Sequence, residues 1–235
     1  MIIDNRIYVS SMCPACGNYY YGSGVCSYNT FGATVFSDGY LQGCYSPYWL
    51  TRCPKCKQIF AKEHLFDLPE NITVFPPSPY LSPRTKRKLE NDELFGRVDD
   101  YLEKDETKLE FIEKAIEQGL YFPVTVSESR KKELKTHLLK DLWHQYNMQS
   151  EATSNAAYKK LCFDIINSIE DKAAPTNEEF LTLAELYRNV GEFEKCLIML
   201  DGIAQSSNNT EFIDAIRKEA IAKNKKTVTV IEGKW

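Results

Sequence analysis

Apolar residues recur at helical spacing throughout the second half of the chain. Between residues 158 and 169 they occupy one face of a helix, namely Tyr158, Leu161, Cys162, Ile165, Ile166 and Ile169. The preceding segment carries a second stripe, formed by Leu134, Leu138 and Leu142 and widened by Leu139, Trp143 and Tyr146. A further helix is predicted to begin at Thr176, where Glu179 completes a capping box. Residues 210–225 are predicted to form a closing helix.

Short β-type runs replace this pattern in the first 60 residues. They are IYV (7–9), TFGATVF (30–36), YWL (48–50) and QIF (58–60). Asp38-Gly39 is a strong turn signal and predicts a hairpin after residue 36. The C-terminal TVTVIEGKW also alternates, and two interpretations stay open for it. In the first, it pairs with the N-terminal sheet and holds two domains together. In the second, it is a frayed tail.

The N-terminal segment contains the same short Cys-Pro-x-Cys motif twice. CPAC places Cys13 and Cys16 in one tight turn, and CPKC places Cys53 and Cys56 in another. Zinc prefers four ligands in a tetrahedron, and two such turns on neighbouring hairpins supply four thiolates. The sequence therefore predicts one structural Zn²⁺ per chain, held by Cys13, Cys16, Cys53 and Cys56. The rival interpretation is a redox dithiol, which needs only one such motif, at a helix start.

The remaining cysteines and the composition narrow the class of protein. The N-terminus lacks a long apolar stretch, which predicts a cytoplasmic, reducing location without membrane contact. Cys26 and Cys44 are interpreted as free thiols, the alternatives being a disulfide between them or a swapped ligand. A centre closed by four cysteines has no open coordination position, so its zinc holds a fold and does not activate water.

Charge argues against a nucleic-acid partner. The net charge is −4. Residues 1–70 contain equal numbers of basic and acidic side chains, namely Arg6, Arg52, Lys55, Lys57, Lys62 and Asp4, Asp38, Glu63, Asp67, Glu70. A domain that relies on phosphate contacts is expected to be clearly basic. The basic run RTKRK (84–88) is interpreted as a solvated linker. The aromatic run YYY (19–21) is interpreted as side chains that fill a small core and its rim.

Residues 177–207 carry the spacing of a tetratricopeptide repeat. The matching positions are Phe180, Leu183, Ala184, Tyr187, Gly191, Phe193, Cys196, Leu200 and Ile203. Small Ala184 and Cys196 allow two antiparallel helices to approach closely, with Gly191 in the turn between them. Such a helical pair either forms a peptide-binding groove or is simply stacked structure.

Enzyme motifs are absent from the sequence. It contains no P-loop, no G-x-G-x-x-G, no H-E-x-x-H and no G-x-S-x-G. His64 is predicted to be an ordinary surface residue, and His137 and His144 to pack at the core or rim of a helix. The chain is therefore not expected to be an enzyme.

A resemblance covers most of the chain. The segments NTFGATVFSDGY and PYWLTRCPKCKQIF, followed by LLKDLWHQYN, resemble uncharacterised bacterial proteins. These pair an N-terminal CPxC…CPxC zinc ribbon with a C-terminal tetratricopeptide-like helical half. Cys26 and Cys44 depart from that pattern, as does Lys57, where glycine is usual. The resemblance implies a fold and a zinc site, but no activity.

Together these observations predict an α+β protein, with a small β zinc-ribbon domain followed by an all-α tetratricopeptide-like bundle. The expected divisions are a ribbon domain at 1–70, a proline-rich and basic linker at 71–91, a helical domain at 92–226 and a β-like tail at 227–235. The leading functional hypothesis is a non-enzymatic cytosolic interaction module or adaptor that binds a protein or peptide. The alternatives are a nucleic-acid-associated ribbon and an enzyme with an unrecognised site. The oligomeric state is left open.

Overall fold

A computed structural model describes residues 6–25, 33–42, 48–53, 55–64, 66–67, 95–97, 105–149, 155–171, 174–203 and 209–232. The predicted linker at 71–91 lies wholly outside these ranges, as do Cys26 and Cys44. The described strands are β1 Arg6–Met12, β2 Tyr19–Val25, β3 Thr34–Phe36, β4 Leu41–Gln42, β5 Leu50–Arg52, β6 Ile59–Ala61, β7 Phe66–Asp67, β8 Phe95–Arg97 and β9 Thr229–Ile231. A 3₁₀ turn spans Lys62–His64.

Six helices follow in the described part of the chain. They are α1 Lys108–Gln118, α2 Glu128–Asn147, α3 Ala156–Glu170, α4 Asn177–Val190, α5 Phe193–Asp201 and α6 Thr210–Ile221. A small β region thus precedes a helical half, and the predicted α+β class is confirmed at this level. None of these helices is both long enough and apolar enough to span a bilayer.

The strands form three sheets. One has the order β7-β1-β2-β8, in which β1 and β2 are antiparallel and β8 is parallel to β2. A second has the order β4-β3-β9, and the third is the β5-β6 hairpin. The two hairpins β1-β2 and β5-β6 are closed by the two Cys-Pro-x-Cys segments.

The chain divides into two compact units. The ribbon unit comprises Met1–Asn29 and Tyr45–Glu133, and the helical unit comprises Thr30–Cys44 and Leu134–Trp235. The segment 30–44, which carries the predicted Asp38-Gly39 hairpin, therefore belongs with the helices. Helix α1 belongs with the cysteine-bearing hairpins.

The described residues of the helical unit share an apolar core. It draws buried residues from α2 through α6: Trp143, Tyr158, Leu161, Cys162, Ile165, Ile166, Ile169, Leu183, Ala184, Leu186, Tyr187, Val190, Cys196, Leu200, Ile203, Ile216 and Ala220. All six residues of the predicted α3 face are among them. Ala184 and Cys196 are both fully buried, as expected of small residues between closely packed helices.

Local signals set the ends of helix α4. Thr176 accepts from the Glu179 backbone N–H, and the Glu179 carboxylate accepts from the Thr176 N–H, so the predicted capping box is present. Gly191 ends the helix at φ 90°, a left-handed conformation that glycine adopts without steric cost. The turn to α5 is consequently very short.

The hairpin at 36–40 forms as predicted. Gly39 has φ 82°, Phe36 N–H donates to the Tyr40 carbonyl (3.0 Å), and Asp38 Oδ1 accepts from Tyr40 N–H (3.0 Å). The tail residues 229–231 form β9, which pairs antiparallel with β3. The frayed-tail interpretation is therefore wrong for these residues. Since β3 and β9 lie in the same unit, their pairing does not join the two units.

Candidate metal centre

The first cysteine pair lies in the loop of the β1-β2 hairpin. Met12 and Tyr19 are the last paired residues, so the chain must reverse between them. Cys13 N–H donates to the Asn18 carbonyl (2.8 Å), and Gly17 N–H donates to the Cys13 carbonyl (2.9 Å). Gly17 has φ 68°, which brings the chain back toward β2.

The second pair repeats this loop between β5 and β6. Cys53 N–H donates to the Gln58 carbonyl (2.9 Å), and Lys57 N–H donates to the Cys53 carbonyl (2.9 Å). Lys57 stands where Gly17 stands in the first loop, and its φ is 63°. The departure from glycine at this position therefore changes the residue but not the backbone conformation.

The four predicted cysteines come together. Their Sγ atoms all lie within 4.8 Å of one another, and Cys16 Sγ is 3.6 Å from Cys53 Sγ. A zinc ion with four bonds of about 2.3 Å to sulfur separates the sulfurs by about 3.8 Å. All four cysteines are free of disulfides. The donor set and its spacing therefore fit a tetrahedral zinc ion.

Burial divides the cluster into an inner and an outer half. Cys13 and Cys53 are buried, whereas Cys16 and Cys56 are exposed. The inner pair packs with Phe60, and Tyr121 lies against this group. The centre therefore lies at the edge of a small apolar core, with one cysteine of each loop facing solvent.

Tyr121 braces both loops, a role that sequence reasoning missed. Its hydroxyl donates to the Pro14 carbonyl (3.1 Å) in the first loop, and its N–H donates to the Ile59 carbonyl (3.0 Å) beside the second. A bridge between residues at large sequence separation leaves no local pattern, so no signal near Tyr121 could have revealed it. Gln58 adds a further tie by donating to the Gly119 carbonyl (3.2 Å).

Without a metal ion, the cluster favours protonated thiols. Although Cys56 as a whole is exposed, desolvation of its thiol, with Cys53 and Cys16 acting in the same direction, raises its pKa to about 12. A divalent ion reverses this, because it deprotonates the thiols that coordinate it. Backbone N–H groups already point at the sulfurs, from Cys56 to Cys53 Sγ (3.1 Å) and from Ala15 to Cys13 Sγ (3.4 Å).

An ion pair holds helix α1 to the second hairpin. Arg52 of β5 donates twice to Glu106 (2.9 and 3.0 Å), and its guanidinium lies 4.9 Å from the centre of the Phe111 ring. Both charged side chains are buried, at 8% and 3% exposure. Glu106 precedes α1 and also accepts from Lys114 Nζ of that helix (2.7 Å), so these bonds place the start of α1 beside β5.

The other described cysteines are not ligands. Cys162 and Cys196 lie in the helical core, where burial raises the pKa of each thiol to about 12. A thiol in such surroundings is unreactive and behaves as a small apolar side chain. Cys26 and Cys44 lie outside the described residues.

The histidines divide three ways. The prediction that His64 is a surface residue is wrong: it is buried against the Phe122 ring, and burial lowers its pKa. His144 packs beside the Trp143 and Tyr40 rings and contacts Asp38 Oδ2 through Nδ1 (3.1 Å). The prediction that His137 packs at a core or rim is wrong, since its side chain is 54% exposed. None of the three lies with the four cysteine sulfurs.

Comparison of the chain with protein-family models, with curated proteins and with solved structures finds no match. The functional argument therefore depends on the residues and their geometry.

Proposed function

We propose that the ribbon unit binds one structural Zn²⁺ through Cys13, Cys16, Cys53 and Cys56. Two hairpin loops with the same hydrogen-bond pattern present their thiols to one point. Zinc at this point would cross-link the β1-β2 and β5-β6 hairpins and contribute folding free energy directly. Four cysteine ligands leave no position for substrate or water, so the chemistry at the metal would be structural.

We further propose that the protein is a non-enzymatic interaction module or adaptor, in which the helical unit binds an extended segment of a protein partner. One observation carries this function. From helix α4, Arg188 and Asn189 donate hydrogen bonds to the main-chain carbonyl groups of residues 224–226. The tetratricopeptide-like spacing of residues 177–203 is typical of helical pairs that bind peptides.

Elemental analysis and partner capture test the two parts of this proposal. Protein purified without chelators is expected to contain about one zinc per chain. Full-length bait should enrich a partner from the native host, and the isosteric Asn189→Asp bait should lose it, because an N–H donor becomes an acceptor. Ile198→Ser, which changes a residue 62% exposed on α5, is the matched control.

Two results would contradict the proposal. Absence of bound metal would remove the zinc centre. A partner retained equally by wild type and Asn189→Asp would remove the α4 surface from the binding function. Retention on heparin at physiological salt would favour the nucleic-acid alternative instead.

A further inference from the structure

The segment that follows α6 is bound along its backbone. Lys223 adopts φ 57°, and Asn224 N–H donates back to the Glu219 carbonyl (2.9 Å), so the helix ends sharply. The chain then continues through residues 224–228 into β9. We call residues 224–231 the C-terminal strap.

Helix α4 contacts three consecutive carbonyl groups of the strap. Arg188 Nη1 donates to the carbonyls of Asn224 (2.5 Å) and Lys226 (2.8 Å). Asn189 Nδ2 donates to the carbonyl between them, that of Lys225 (2.8 Å). Every peptide has carbonyl groups, and residue 226 is a bend, so these contacts recognise the main chain of a bent segment and not particular side chains.

The hairpin at 36–40 continues this recognition toward the C-terminus. Val228 N–H donates to Ser37 Oγ (3.0 Å), and the Val228 carbonyl accepts from Ser37 N–H (2.8 Å). Residues 229–231 then extend the sheet at the edge of β3. This is the geometry of strand addition, in which main-chain bonds supply the affinity.

Hydrogen bonds within the helical unit hold the groups that contact the strap. Glu185 accepts from Arg188 Nε (2.8 Å) and Nη2 (2.5 Å), and it also accepts from Ser37 Oγ (2.7 Å). Asn189 Oδ1 accepts from Trp143 Nε1 (3.0 Å), which turns the amide N–H₂ toward the strap. Glu185, Arg188 and Asn189 are 0% exposed. A preorganised donor set of this kind lowers the entropic cost of binding.

The fit of the strap is incomplete. Thr227 Oγ1 is buried and finds no hydrogen-bond partner among the described residues. A buried unpaired hydroxyl weakens the state that contains it. The strap therefore binds this surface less tightly than a segment without the unpaired hydroxyl would.

We propose that the surface formed by Ser37, Arg188, Asn189 and the edge of β3 is a binding site for a peptide segment that bends and then continues as a strand, and that the chain's own strap is its resident ligand. A partner strand would displace the strap. This inference rests on the proposed function, because it names the surface, the kind of ligand and the competition that regulates binding. The ligand needs three successive free carbonyls and a free N–H at the position of Val228.

Tethering sets the strength of this competition. A ligand attached by a short linker acts at an effective concentration of about millimolar. The apparent affinity for a free strand is reduced in proportion to the fraction of molecules with the strap released. Changes that loosen the strap should strengthen binding of a free strand, and changes that tighten it should weaken that binding.

The test uses full-length protein and a fluorescein-labelled peptide of residues 224–235 as the probe. Val228→Pro removes the N–H that donates to Ser37. It should raise probe affinity about ten-fold or more. Val228→Ala keeps the N–H and should stay within about three-fold of wild type. Thr227→Val removes the unpaired hydroxyl and should lower probe affinity.

The inference is supported if Val228→Pro binds the probe more tightly than wild type and Thr227→Val binds it less tightly. A general loss of stability cannot both raise and lower the affinity for the probe. Equal probe binding by all of these proteins would overturn the inference. Adding Asn189→Asp to Val228→Pro should abolish binding. If circular dichroism shows that Val228→Pro does not fold, the comparison of probe affinity between wild type and Thr227→Val decides the question. Hydrogen exchange at the Val228 N–H then serves as a second measurement of how tightly the strap is bound.

Competition between the probe and a captured partner distinguishes this inference from the adaptor function. If the probe binds with the expected order and no captured partner displaces it, the strap site stands and the adaptor function fails. If a partner binds but the probe does not compete with it, the adaptor function stands and this inference is wrong.

Discussion

In the helical unit, side chains from α2 through α6 fill one continuous apolar core, and a buried polar group of Ser37, Glu185, Arg188 and Asn189 lies beside it. In the ribbon unit, four thiols lie together at the edge of a small cluster that contains Cys13, Cys53 and Phe60. The helical unit buries a large apolar core, whereas the described residues at the cysteine loops bury only a small cluster. A metal ion that joins two hairpins adds folding free energy to such a cluster.

Cysteine substitutions in the two units should have opposite consequences for zinc. Cys53→Ser removes one of the four proposed ligands, so we expect loss of zinc and unfolding of the ribbon unit, because zinc binding is worth about 10 kcal/mol or more in small zinc domains. Cys196→Ser, in the helical core, should keep full zinc content. Elemental analysis and NMR spectra of both variants provide the measurement. A Cys53→Ser protein with a native ribbon spectrum would contradict the structural role of the ion.

A cavity in the helical core should act on that unit alone. Ile165 is 0% exposed, and Ile165→Ala should lower the free energy of unfolding by about 3 kcal/mol, because it removes buried apolar contacts and leaves a void. Phe163→Ala, in the same helix at 40% exposure, is the control and should cost well under half as much. Urea denaturation followed by circular dichroism measures both. Loss of zinc from Ile165→Ala would show that the units are not independent.

Asp38 should make the helical unit acid-sensitive. Burial raises its pKa, but the hydrogen bond and charge of His144, with Asn147 and the Tyr40 N–H, outweigh this and hold the pKa below its ordinary 3.8. The resulting stabilisation is complete above the unfolded pKa and is lost as pH falls through the lower folded value. Asp38→Asn should therefore cost about 1–2 kcal/mol at pH 7 and lose less stability than wild type below pH 4.

Free energies of unfolding at pH 7 and pH 3 check this prediction. Asp164→Asn, which changes an exposed carboxylate on α3, is the matched control. Identical pH profiles for wild type and Asp38→Asn would exclude Asp38 as the acid-sensitive group.

The smallest predicted change in stability concerns the one position, Gly17 in the first cysteine loop and Lys57 in the second, at which the two loops are compared. Lys57 and Gly17 share a left-handed backbone conformation, which disfavours residues with a Cβ atom. Lys57→Gly should stabilise the zinc-bound ribbon unit by about 0.5–1 kcal/mol, and Gly17→Ala should destabilise it by a similar amount. A Cβ at Gly17 meets nothing within 4 Å, so only the conformational term changes. Thermal unfolding of the zinc-loaded proteins measures both, and shifts of the same sign would refute the equivalence of the loops.

Local features of the fold were predictable because their causes are local. The α3 face, the capping box at Thr176 and the Asp38-Gly39 turn each depend on residues a few positions apart, and all three are present. The wrong expectation for His64 has the opposite origin. Its burial depends on Phe122, which is distant in sequence, so no neighbouring residue indicated it.

The sequence by itself determined the helical faces of the second half and the Asp38-Gly39 hairpin, and it identified four cysteines in two matching turns. Helix α1 and strand β2 were not predicted. Only the tertiary structure decided that those turns meet, that Tyr121 braces them, and that the C-terminal strap lies against α4 and β3. The polar residues Glu185, Arg188 and Asn189 carry no sequence sign of burial. The physical reason is that propensity and periodicity act over one or two turns of chain, whereas pairing between distant segments depends on which surfaces the complete fold brings together.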